Sequence, residues 1–121
     1  MSSPKLPNMA KELSSVEAAW LGAMVDGEGS LFLRYRPAPT LRMEVCNTEP
    51  EFLSACLRIT NTRGVQLKTD NSSRYGRKPV FGWYVNAWNT VLDLTKQIAP
   101  YSIKAQALQT VLGGITEKEG N

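Results

Sequence analysis

Asp26 and Glu28 stand two residues apart at the end of a stretch, residues 21–29, that reads LGAMVDGEG. Carboxylates set among glycines in this way have two kinds of use. They can cap or solvate the end of a helix. Alternatively, one of them can offer hard oxygen atoms to a divalent cation such as Mg²⁺, which keeps several waters and takes phosphate oxygens alongside a carboxylate or two. The chain contains no histidine. That excludes nucleases built on a histidine base or a histidine-rich metal site, and the Ser-His and Cys-His hydrolases with them. Any hydrolysis done here must rest on carboxylates, lysine, tyrosine or a metal-bound water.

The preceding residues have to deliver this stretch. A helix is predicted from Ser14 or Ser15, with Glu17 in its first turn, and Gly27 and Gly29 break it. Trp20, Leu21 and Met24 supply its bulky apolar side. Ala18, Gly22 and Asp26 recur every four residues and form a side with almost no bulk. Two strands follow with period-two alternation. In residues 31–36, Leu31, Leu33 and Tyr35 point inward while Phe32, Arg34 and Arg36 point outward. In residues 41–45, Leu41, Met43 and Val45 point inward, and Thr40, Arg42 and Glu44 outward.

Thr48-Glu-Pro-Glu reads as a capping box with Thr48 as N-cap. It opens a second helix whose apolar stripe is Phe52, Cys56 and Ile59. A strand at 65–69 turns Gln66 and Lys68 outward, and residues 70–78 form a polar loop carrying Arg74, Tyr75, Arg77 and Lys78. A strand at 79–87 places Trp83 and Val85 inward, with Tyr84 and Asn86 outward. Helices at 90–98 and 102–112 follow, stopped by Pro100 and by Gly113-Gly114. The order α-β-β-α-β-β-α-α implies an α+β fold, a four-stranded antiparallel sheet with helices on one face. Residues 1–13 read as a flexible N-terminal arm, 14–116 as a single domain and 117–121 as a polar tail.

At 121 residues the chain is the length of one domain, 42% hydrophobic and 21% charged, with a net charge of only +3. The distribution says more. Between Ser30 and Ala87 lie Arg34, Arg36, Arg42, Arg58, Arg63, Lys68, Arg74, Arg77 and Lys78, against Glu44, Glu49, Glu51 and Asp70. A sheet with one apolar and one basic face calls for an anionic partner. An eight-residue strand spans about 27 Å, which matches about eight base pairs of duplex, and two-stranded ribbons fit the major groove. Double-stranded DNA is the natural partner. No secretory signal is visible, and the longest apolar run is far short of the roughly 20 residues that cross a membrane. An intracellular setting is expected, a prokaryotic cytoplasm or an organelle. Cys46 and Cys56 suit free thiols in a reducing compartment.

LGAMVDGEG resembles the signature of the LAGLIDADG homing endonucleases, in the variant ending Asp-Gly-Glu-Gly-Ser. Further landmarks follow in family order: Val45-Cys-Asn-Thr, the Trp83/Val85 strand, and Ile98-Ala-Pro-Tyr-Ser-Ile-Lys with Gln106-Ala107. The resemblance spans residues 18–112 and implies the αββαββα-type endonuclease fold. It also implies metal-dependent hydrolysis of one phosphodiester in each DNA strand, leaving 3′ overhangs. Glu28, at the second acidic position, would be the metal ligand, with the Gly27 carbonyl as companion. Mg²⁺ would be the cofactor, Mn²⁺ would substitute, and Ca²⁺ would bind without supporting cleavage. Asn47 and Lys104 match a polar and a basic residue near the water pocket, although the segment leading to Lys104 is a residue or two shorter than usual.

By the same resemblance, Ala18, Gly22 and Asp26 would form the contact between two motif helices. The family's monomeric members carry two motifs and this chain carries one. A homodimer is therefore expected, on a pseudo-palindromic target. Phe32, Arg34, Arg36, Thr40, Arg42, Glu44, Gln66, Lys68, Tyr84 and Asn86 would face the DNA, with arginine reading guanine and Glu44 accepting from cytosine. Arg74, Tyr75, Arg77 and Lys78 would meet phosphates. A non-cleaving relative would present the same surfaces, as an intron maturase binding RNA or as a DNA-binding regulator.

Overall fold

The computed structural model describes residues 11–62, 65–69 and 79–120, with the backbone alone at 65–69 and 114–120. The first helix, α1 (Ser15–Glu28), is closed at its start by a reciprocal pair of bonds. The Glu17 amide donates to the Ser14 hydroxyl at 3.1 Å, and the Ser14 amide donates to the Glu17 carboxylate at 2.9 Å. Each bond satisfies a backbone donor that the opening of a helix leaves without an internal partner.

The helix passes without a loop into strand β1 (Gly29–Arg34). Gly29 is the junction: its amide donates to the Val25 carbonyl, and it opposes Val45 as the first rung of the sheet. Its φ of −132° is open to any residue, so the reason for glycine is space. A Cβ there would land on the Glu44 carbonyl oxygen. Gly29→Ala is expected to destabilise the fold by about 2–3 kcal/mol, as overpacking against backbone does. Urea unfolding checks this, and a midpoint unchanged from wild type would mean that the junction yields freely.

Strand β2 (Thr40–Asn47) pairs antiparallel with β1, from Gly29↔Val45 to Arg34↔Thr40. Its other edge pairs with β4 (Val80–Val85), which in turn pairs with β3 (Val65–Thr69), giving the order β1-β2-β4-β3. Alternation decides which side is core. Leu41, Met43, Val45 and Trp83 are fully buried. They meet Leu21 and Val25 of α1, Leu53 and Cys56 of α2 (Pro50–Thr60), and Val91, Leu94 and Ile98 of α3 (Trp88–Ile98). The Trp83 indole N–H stays satisfied by donating to the Thr62 hydroxyl at 2.9 Å. A 3-10 turn at Ala99–Tyr101, built around Pro100, leads into α4 (Ile103–Gly120). This is the α+β arrangement of an antiparallel four-stranded sheet with helices that the sequence implies.

Several local expectations need correction. Residues 11–13, assigned to a flexible arm, are tied down. The Lys11 amide donates to the Thr60 carbonyl at 3.3 Å and the Leu13 amide to the Gln97 side-chain oxygen at 2.6 Å, while Gln97 donates back to the Lys11 carbonyl at 3.1 Å. Residues 1–10 lie outside the described residues. The N-cap of α2 is Glu49 rather than Thr48, because the residue before a proline is pushed into extended backbone. The buried stripe of α2 is Leu53, Cys56 and Thr60, and Phe52 is 43% exposed. Tyr35 is 59% exposed and lies past the end of β1. Helix α4 does not stop at Gly113-Gly114 but runs to Gly120, through the expected domain edge and tail. Glycine inside a helix costs roughly 1 kcal/mol against alanine. It commonly ends one by turning left-handed, and Gly113 has no such φ.

Both cysteines are free thiols, and burial pushes the Cys56 pKa up to about 12. Among the described residues no helix is long and apolar enough to cross a membrane.

Candidate functional site

The end of α1 is fastened to the start of α4 by Asp26. One of its oxygens accepts from the Ser102 hydroxyl at 2.8 Å and from the Lys104 amide at 3.2 Å. The other accepts from the Ile103 amide at 2.8 Å. The first amides of a helix lack internal partners and carry its positive end, so Asp26 serves as an N-cap supplied from 76 residues away. Burial alone would raise the Asp26 pKa. The Ser102 hydroxyl, the two amides and the Lys104 charge outweigh it and hold the carboxyl below the ordinary aspartate value of 3.8.

A carboxyl with a depressed folded pKa stabilises the fold above its unfolded pKa, and the contribution is lost as pH falls through the folded pKa. Asp26→Asn is therefore expected to cost about 1–2 kcal/mol at neutral pH. The gap to wild type should close as pH drops below 3.8. Urea melts at neutral pH and at about pH 2.5 test this, and a gap independent of pH would refute it.

Lys104 reaches back over the same junction. Its ammonium donates to the Gly29 carbonyl at 2.7 Å and to the Val25 carbonyl at 3.3 Å, placing a positive charge at the negative end of α1. Glu28 lies between those carbonyls in the chain, is exposed, and bonds to no described side chain or backbone group. Gly27, also exposed, belongs to the last helical turn, whose carbonyls lack an internal amide. Asn47 stands two positions past the Gly29–Val45 rung. Its side-chain oxygen accepts the Glu49 amide at 2.9 Å and shapes the entry to α2.

Glu28 and Lys104 thus share one end of α1, while the oxygen of Asn47 is already in use. Among the described residues no three His, Cys, Asp or Glu side chains group to hold a metal ion. Among the described residues, the exposed oxygens at this end of α1 come from the Glu28 carboxylate and from Gly27 beside it.

The small side of α1 expected to meet a second chain faces inward. Ala18 and Gly22 are buried, and Asp26 is bonded within its own chain. A Cβ on Gly22 would lie 3.2 Å from the Tyr101 carbonyl oxygen and 3.3 Å from the Tyr101 Cβ. The bareness of this side seats the 3-10 turn and the start of α4 against α1. The open small face lies one residue further on, at Ala19, Ala23 and Gly27. Ala23 and Gly27 are exposed and Ala19 is half-buried, and a Cβ on Gly27 would meet nothing within 4 Å. Its four-residue spacing was equally visible in the sequence, but the phase was not.

Across the sheet from the core, a groove of about 540 Å³ runs along β1 and β2. Phe32, Arg34, Arg36, Thr40, Arg42 and Glu44 line it, all expected on that side, together with Ser30 and Pro37, which had not been singled out. The guanidinium of Arg34 lies 4.9 Å from the centre of the Phe32 ring, and that of Arg42 lies 4.2 Å from Tyr84. Glu44 is not an idle acceptor. Its side chain is only 10% exposed, one oxygen lies 3.4 Å from Arg42 Nε, and the other accepts the Cys46 thiol at 3.2 Å. The carboxylate expected to read cytosine is already committed within the chain. Tyr84 faces this side opposite Glu44, whereas Asn86 is exposed past the end of β4. The side chains of Gln66, Lys68, Arg74, Tyr75, Arg77 and Lys78 lie outside those described.

No family model and no curated protein matches the chain. Solved structures do. One structure of the homing endonuclease I-CvuI, in complex with its target in the presence of 2 mM Ca, superposes with a TM-score of 0.62 at 14% identity, covering 87% of this chain and 71% of that one. A second, in complex with the I-CreI target in the presence of 2 mM Mg and with the DNA not cleaved, gives 0.60 at 17% identity, covering 80% of this chain. There the chain spans 64% of the neighbour's length. At such identity the likeness speaks for architecture. Together with the LGAMVDGEG helix end and the four-stranded antiparallel sheet, this likeness gives the chain the LAGLIDADG homing endonuclease fold.

Proposed function

We propose that this chain is one half of a homodimeric, site-specific endonuclease. It cuts both strands of a long pseudo-palindromic DNA site by Mg²⁺-dependent hydrolysis and leaves 3′ overhangs. One observation carries this reading. Ser30 lines the arginine groove, and two residues before it stands exposed Glu28, with Lys104 bonded to the intervening Gly29. A surface suited to a polyanion therefore runs straight to an uncommitted carboxylate and an ammonium. The DNA complexes of the structural neighbours support the same partner.

Two copies would pack through Ala19, Ala23 and Gly27, bringing one Glu28 from each to a shared point over the DNA backbone. There Glu28 and the Gly27 carbonyl would hold the cation, with Mn²⁺ substituting and Ca²⁺ binding without turnover. Once bound, the cation supplies Lewis acidity at the scissile phosphate. Lys104 offsets phosphate charge from its seat on Gly29, and Asn47 keeps its amide N–H groups for orienting water. Arg34, Arg36 and Arg42 hold the duplex.

Incubation with insertion-site DNA and Mg²⁺ tests the reading, with the product ends sequenced. Paired cuts with 3′ extensions are expected. Tight binding without cutting would favour a regulator, and binding of RNA alone a maturase.

A further inference from the structure

Strand alternation places Arg42, Glu44 and Cys46 on the same side of β2, and Tyr84 of β4 directly opposes Glu44. The four side chains form one cluster at the foot of the groove. Tyr84 takes the face of the Arg42 guanidinium, 4.2 Å from the ring centre. Glu44 takes its inner edge, with Nε and Oε2 3.4 Å apart. That Nε is buried and paired by charge without an aligned hydrogen bond. Cys46 holds the other oxygen of Glu44 at 3.2 Å. Ring and carboxylate together immobilise a long side chain that would otherwise sample many rotamers.

We infer that Glu44 is a positioning residue for Arg42, and that Arg42 so held reads one guanine in each half-site; this rests on the DNA reading proposed above. The two terminal nitrogens of Arg42 are the donors left over, and their fork matches the O6 and N7 acceptors of guanine in the major groove. Glu44 is only 7% exposed and is engaged by Arg42 and Cys46, so it is set to hold the arginine rather than to meet a base itself. Arg34 provides an internal contrast, since it lies on the Phe32 ring and pairs with no carboxylate among the described residues.

Selection of bound duplexes from a random-sequence DNA library separates the possibilities. The proteins compared are wild type, Arg42→Ala, Glu44→Ala, Glu44→Gln and the Arg42→Ala/Glu44→Ala pair, with thermal melts to verify folding. Arg42→Ala is expected to lose discrimination for guanine at one position of each half-site by roughly ten- to a hundredfold. Both Glu44 variants should lose it at that same position and leave the others alone. In the double variant the second change should add nothing, because Glu44 acts only through Arg42. A Glu44 variant that alters preference at a different base pair, or leaves the guanine untouched, overturns the inference while the DNA reading stands. If Glu44→Ala does not fold, Glu44→Gln decides the matter. A wild-type protein that enriches no sequence overturns the DNA reading, and this inference with it.

Discussion

Glu28→Gln is expected to lower Mg²⁺-supported cleavage by at least roughly a thousandfold, about 4 kcal/mol of barrier, while fold, dimer and DNA affinity remain. Glutamine keeps the shape of the side chain and removes the charge that a hard cation needs from its oxygen ligand. Little else can be lost, because Glu28 is exposed and bonds to no described group. Substitutions at such places usually change stability by no more than about 0.5 kcal/mol. The sign at the dimer is also informative. Two carboxylates brought to one point repel each other when no cation lies between them, so the Glu28→Gln dimer should be at least as tight as wild type in chelator. Single-turnover cleavage of the insertion site, with filter binding in Ca²⁺, measures both sides. Cleavage at the wild-type rate would remove Glu28 from the chemistry. Lys104 is a poorer probe, since it also carries two carbonyl bonds at the α1–β1 junction. Its loss mixes chemistry with structure.

Much of the scaffold for that carboxylate was legible in the residues. Leu41, Met43 and Val45 alternate with Thr40, Arg42 and Glu44, and burial follows the alternation on the core side. The Ser14–Glu17 cap is a local pattern and forms as read. What escaped depends on contacts between distant segments or on phase. Asp26 and Glu28 look alike in sequence, and only Ser102 and Ile103, brought in by α4, separate a structural acid from an uncommitted one. On the solvent side of the sheet Glu44 is engaged by Arg42 and Cys46, its own neighbours at two-residue spacing. Parity alone cannot tell a paired carboxylate from an open one. The N-cap of α2 was a local error, because the restriction that Pro50 places on Glu49 outranks the capping preference of Thr48. Gly113-Gly114 failed as a stop because glycine permits an end to a helix without requiring one.

The phase of α1 gives the second large effect. Ala23→Arg is expected to yield a folded monomer that does not cut, and Gly22→Leu a chain that has lost a large share of its stability. Position 23 is exposed in the single chain, and arginine is nearly as good a helix former as alanine, so the domain tolerates it. In a close helix pair it would place two unpaired, desolvated like charges against each other, which costs several kcal/mol. Position 22 is the reverse. Even a methyl group there sits 3.2 Å from the Tyr101 carbonyl oxygen. A leucine must push away the start of α4, and with it the Ser102, Ile103 and Lys104 bonds to Asp26. Overpacking of about 3 kcal/mol, added to the lost cap, removes a large share of a domain's total stability of about 5–15 kcal/mol. Sedimentation equilibrium and thermal melts on the two variants discriminate cleanly. A folded monomer from Gly22→Leu beside a dimer from Ala23→Arg would return the interface to Ala18 and Gly22. On the proposed reading, cleavage should follow dimerisation closely, since each copy would bring one Glu28 and a cation held by a single Glu28 would lack half its carboxylate ligands.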